Sequence, residues 1–135
     1  MSDVTVDHIG IATKSLDESQ QIWSTLGFTP GEDQTNTEQG VKIRFMHGSS
    51  NTKIELLEPL GDATPVGKFI SRHGPGVQQI AILVENIEET ISNLLDIGVK
   101  MVSQNPTIGS EGQRIAFVHP SSAGGVLIEL VESIK

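Results

Sequence analysis

The chain is written twice, and this duplication constrains its fold more than any other feature of its 135 residues. The segment from His8 to Phe28 matches that from Gln79 to Val99 at a constant offset of 71, which pairs His8 with Gln79 and Gly27 with Gly98. Further on, Ile54-Glu55-Leu56-Leu57-Glu58 recurs as Ile128-Glu129-Leu130-Val131-Glu132. Self-similarity of this kind predicts two copies of one supersecondary unit. Each half opens on a residue that can bind metal, His8 or Gln79. Each half closes on a strand with a central carboxylate, Glu55 or Glu129.

Periodicity gives the shape of the unit. From Val6 to Ala12, Ile9 and Ile11 alternate with His8, Gly10 and Ala12, the period of a strand. A helix follows. Ser15 and Glu18 form a capping-box pattern, Leu16, Ile22, Trp23 and Leu26 recur at helical spacing, and Gly27 is placed to end it. The second copy repeats each device with Asn86 and Glu89, then Ile87, Ile91, Leu94 and Leu95, then Gly98. Three short strands are expected after each helix. In the first copy they lie near Phe28, over 41–47 and over 53–58; in the second, over 99–102, 114–119 and 126–131. The expected fold is α+β, with two tandem βαβββ modules (about 4–60 and 77–134) forming a curved mixed sheet around a metal site. Within the connection 59–77, Thr64-Pro65 reads as a helix start and Val66, Phe69 and Ile70 suit a short helix. The polar, Gly-containing segments 30–40 and 104–113 read as loops able to cover a site.

Strand alternation puts Ile54 and Leu56 under the helix and Glu55 on the opposite face, with Glu129 placed likewise between Ile128 and Leu130. His8 and Gln79 also point away from the helix-packed face. If the two sheets curve toward each other, these four side chains converge. One imidazole nitrogen, one amide oxygen and two carboxylates suit a divalent first-row ion (Co, Zn, Ni or Mn) with positions open to substrate. His47 and His119 also match across the copies, and His119 is placed to touch substrate at the rim. Arg44, Arg114, Lys42 and Lys53 fall on or beside the strands and are the candidates for a phosphate or carboxylate clamp.

Composition removes several classes. There is no cysteine, which excludes disulfides and thiolate metal sites. A net charge of −8 argues against a nucleic-acid partner. No apolar run reaches membrane-spanning length, and no signal-peptide pattern opens the chain. A cytoplasmic protein with no membrane partner is the expectation.

Asp7-His8-Ile9-Gly10-Ile11-Ala12, Glu38-Gln39-Gly40-Val41, Ile54 to Leu60, Phe117-Val118-His119-Pro120 and Gly124 to Leu130 together resemble the methylmalonyl-CoA epimerases. That family lies within the vicinal-oxygen-chelate (glyoxalase/bleomycin-resistance/dioxygenase) superfamily. The resemblance implies paired βαβββ modules and a homodimer acting on an acyl-CoA thioester. It implies metal ligands at His8, Glu55, Gln79 and Glu129, an acid–base role for Glu129, and Glu55 or a bound water as the second proton carrier. Three positions depart from the family pattern. Gln78-Gln79 replaces a histidine pair, Ile43 stands where some members carry a catalytic glutamate, and Ser121 stands where a lysine often follows His-Pro. Two alternatives share the scaffold: a glyoxalase I-type lactoylglutathione lyase and a non-enzymatic binding protein.

Overall fold

The computed structural model describes residues 4–133. The chain runs β1 (Thr5–Ala12), α1 (Leu16–Leu26), β2 (Thr29–Pro30), β3 (Gln34–Asn36), β4 (Val41–His47), β5 (Lys53–Pro59), α2 (Pro65–His73), β6 (Gly76–Val84), α3 (Ile87–Asp96), β7 (Thr107–Ile108), β8 (Arg114–Val118) and β9 (Leu127–Glu132). Two compact units emerge. One is His8–Gln78; the other gathers the chain from Gln79 onward with residues 4–7. The module end expected at residue 134 lies outside the described residues.

In the first unit β1 pairs in parallel with β5, aligning Ile9 with Ile54 and Ala12 with Leu57. Antiparallel β4 follows on the other edge of β5, with Phe45 opposite Glu55. Two apolar layers form. Leu16, Met46, Ile54 and Leu56 pack with Ile9, Ile11, Trp23 and Phe28 beneath α1. Ala12, Val41, Ile43, Phe45, Leu57 and Val66 pack on the other face, with Phe69 and Ile70 of α2 against them. So α2 partly covers the face that carries Glu55.

Helix α1 starts as its sequence dictates. The Ser15 side chain accepts the Glu18 amide, and Gly27 closes the helix at φ 113°, a left-handed value that glycine adopts at least cost. Asn86 accepts the Glu89 amide in the same way at the start of α3.

The second unit repeats the plan. β6 pairs in parallel with β9, aligning Ala81 with Glu129, and β8 lies antiparallel to β9 with Phe117 opposite Glu129. Its core is Val84, Ile87, Ile91, Met101, Ala116, Val118 and Leu130.

Three sequence expectations change. The segment 30–40 is not all loop, because Gln34–Asn36 pairs with Val41–Ile43 as a hairpin whose turn includes Gly40 at φ 67°. The strand expected over 99–102 reduces to a single bridge, Met101 to Val118. The short strand falls instead at Thr107–Ile108, pairing with β8 inside the segment read as loop. Both hairpins are local, and each forms because the next strand offers a backbone edge, which short polar segments with no apolar alternation do not advertise.

Candidate metal and acid–base site

Each unit carries one buried polar pair on the sheet face away from its first helix. In the first unit, His8 Nε2 lies 3.3 Å from Glu55 Oε1, and both side chains are 6% exposed. β1 and β5 run side by side with Gly10 aligned to Glu55, so a residue near the start of β1 meets one in mid β5. Phe45 sits opposite Glu55 and presents its ring to His8 in a T-shaped contact, centroids 5.5 Å apart. Lys53 Nζ lies 5.4 Å from the centre of the same ring, within cation–π range.

In the second unit, Gln79 Nε2 donates to Glu129 Oε1 at 2.9 Å, with both residues buried. Phe117 faces Glu129 across the β8–β9 ladder as Phe45 faces Glu55. The three ionisable donors, His8, Glu55 and Glu129, are all buried. A buried carboxylate is costly unless it is paired or coordinates a metal. An imidazole nitrogen, an amide and two carboxylates are hard-to-borderline donors and fit a divalent first-row ion.

The strand-borne arginines lie elsewhere. Arg44 alternates with Phe45, so it points toward α1. There its guanidinium donates to both oxygens of Asp33 (2.6 and 2.9 Å), to Asp17 and to Gln20. The hydrogen bond from Arg44 holds the Asp33 carboxyl below its ordinary range. Arg114 likewise donates to Glu132 at 2.8 and 2.9 Å and to Glu88 at 3.0 Å, beside α3. Its hydrogen bond holds the Glu132 carboxyl low, with help from the Ile87 amide. Neither guanidinium shares the face of Glu55 or Glu129. His119 follows β8, and its Nδ1 accepts the Ser121 amide at 3.1 Å at the start of a 3₁₀ turn, Pro120–Ser122.

Phe45 and Phe117 were not singled out from the sequence. Their equal spacing from His47 and His119 marks them as repeat partners. Ile43 is 4% exposed inside the apolar layer of the first unit, so that position carries no acid or base.

The fold and these donor pairs define a class. The sequence model of the Glyoxalase/Bleomycin resistance protein/Dioxygenase superfamily matches residues 7–117. The mitochondrial methylmalonyl-CoA epimerase of Dictyostelium discoideum is 36% identical over 94% of this chain and 77% of its own length. A single-substitution variant of Streptomyces coelicolor methylmalonyl-CoA epimerase, in complex with 2-nitronate-propionyl-CoA, superposes with a TM-score of 0.87. It is 35% identical, covering 96% of this chain and 94% of that one. A hypothetical protein of Bacillus halodurans C-125 superposes with a TM-score of 0.92 and is 40% identical, covering 98% of this chain and 96% of that one. This chain belongs to the methylmalonyl-CoA epimerase family of that superfamily.

Proposed function

We propose that this protein interconverts the C2 stereoisomers of methylmalonyl-CoA, with His8, Glu55, Gln79 and Glu129 as the residues that hold a divalent ion. The observation that carries the reading is the recurrence of a buried donor pair, His8–Glu55 and Gln79–Glu129, at equivalent positions of the two repeats. The bound ion would supply Lewis acidity toward the thioester and carboxylate oxygens of the substrate.

The chain's own residues handle the proton. Glu129 takes it from C2, with its carboxylate oriented by the Gln79 amide. Glu55, oriented by His8, serves as the second carrier, since Ile43 offers none. Phe45 and Phe117 flank these carboxylates and limit access of water. The Streptomyces coelicolor relative was solved with a 2-nitronate-propionyl thioester. A nitronate is a planar anion with charge on two oxygens, the charge distribution that loss of a C2 proton creates.

His119 is the residue we assign to contact with the CoA portion. Arg44 and Arg114 act instead as structural ties through their carboxylate partners. Among the described residues no helix is long and apolar enough to cross a membrane. We place the protein in the cytoplasm as a homodimer, a state that sedimentation analysis checks.

The test is exchange of the C2 proton of methylmalonyl-CoA in deuterated water, alongside elemental analysis of the purified protein. About one divalent ion per chain and exchange lost in Glu129→Ala are expected. Wild-type exchange in Glu129→Ala would sink the assignment. Activity on the hemithioacetal of methylglyoxal and glutathione, without epimerisation, would move the reading to the glyoxalase class.

A further inference from the structure

The two copies are packed differently beneath their helices, and a cavity opens in the second. Beneath α1, Trp23 and Phe28 stack edge to face with centroids 5.6 Å apart, above a fully buried Met46. Their counterparts in the second unit are Leu94, Val99 and Val118, all smaller. The same three residues line a cavity of about 570 Å³ against α3, with Ile82, Ile128 and Leu130 completing its apolar floor. That volume lies within the range of small-molecule sites, about 300–1,000 Å³. The cavity belongs to the helix-packed face, whereas Gln79 and Glu129 alternate onto the other.

The rim sets the charge of an occupant. Glu85, Asn86, Glu89 and Asn93 edge the opening, and among the described residues no Lys, Arg or His lines the cavity. The start of α3 does not reverse this sign. Asn86 Oδ1 accepts the Glu89 amide at 3.0 Å, and Glu132 accepts the Ile87 amide at 3.0 Å, so these first-turn donors already have partners. We propose that the cavity beneath α3 binds a small amphiphilic cation, an apolar body seated on Leu94 and Val99 with an ammonium head at Glu85 and Glu89. Fatty carboxylates and acyl-CoA esters, whose carboxylate or phosphates are anionic, carry the wrong charge for this rim.

Three probes of one shape test the assignment by calorimetry and backbone NMR: 4-phenylbutylammonium, 4-phenylbutanol and 4-phenylbutyrate. The ammonium probe should bind at one site and shift α3 and β6 resonances. It should bind about fivefold more tightly than the alcohol, as partly exposed ion pairs allow, and the carboxylate should not bind. Glu85→Gln with Glu89→Gln should bring the ammonium probe down to the alcohol's affinity. Leu94→Trp with Val99→Phe, which rebuilds the aromatic pair of the first unit, should abolish binding of every probe. Val99→Phe alone serves if the double variant does not fold.

Absence of binding in the wild type, equal binding of all three probes, or binding retained in the folded filled variant would each overturn the proposal. So would a wild type that self-associates and a filled variant that does not, which would make a second copy of the chain the occupant.

Discussion

The carboxylate of Glu132 accepts the amide hydrogen of Ile87 at 3.0 Å, joining the last strand of the second unit to the first turn of its helix. Glu58 Oε1 does the same for Leu16 at 2.9 Å in the first unit. The second glutamate of each repeated Ile-Glu-Leu-x-Glu segment therefore fixes a helix start, while the first lies in the buried polar pair. Helix N-termini expose unpaired amides and favour negative charge, so one carboxylate satisfies both needs.

Glu58→Ala and Glu132→Ala should each lower stability by about 1–2 kcal/mol, the usual cost of leaving a helix-start donor unpaired. Urea unfolding checks this: the midpoint falls and the slope stays constant. Midpoints unchanged in both variants would remove the capping role.

Arg44 and Arg114 hold the carboxyls of Asp33 and Glu132 below their ordinary values of 3.8 and 4.5. A carboxyl depressed in the folded state adds stability above its unfolded pKa, and that stability is lost as pH falls through the folded one. Glu132→Gln should therefore be less stable than wild type at pH 7. The gap should narrow below 4.5 as the wild-type carboxyl takes up its proton. Thermal scans from pH 7 to pH 3 read it, and a gap independent of pH contradicts the ion pair.

Trp23→Leu with Phe28→Val copies the second unit's side chains into the first and should carve a cavity under α1. Large-to-small changes of this kind cost about 3–5 kcal/mol in a packed core. Chemical denaturation measures the loss; a loss well under 1 kcal/mol would show that α1 settles onto the sheet and refills the space.

A divalent ion that binds only the folded chain raises stability by about 2.7 kcal/mol at a hundredfold excess over its dissociation constant. Cobalt, zinc, nickel and manganese should each be screened by thermal shift after chelation. The response should disappear in His8→Ala and Glu55→Ala, while both variants stay folded. A shift retained in both would place the ion elsewhere.

Much of the architecture was legible because the repeat states it twice. The alternation through Ile9, Ile11, Ile54 and Leu56 marks the helix-packed face, and these residues do form that layer. Ser15, Gly27 and Asn86 mark helix ends by local hydrogen bonding, which needs no distant partner. The same alternation puts His8, Glu55, Gln79 and Glu129 away from the helix-packed face, and the pairs His8–Glu55 and Gln79–Glu129 each meet within one unit.

Other features depend on who sits opposite whom. Arg44 and Arg114 look like free cations in the chain, yet folding gives each a carboxylate on the helix side. Gln34–Asn36 becomes a strand only because β4 offers it an edge. The sequence by itself determined the order of the helices and longer strands, the helix caps and the face of the alternating strand residues, because these follow from spacing along one chain, but not the short edge strands β3 and β7. Only the tertiary structure decided the partners of the arginines, the aromatic opposite each glutamate and the cavity beside Leu94 and Val99. Those depend on register and packed volume, which arise when residues distant in sequence are brought together.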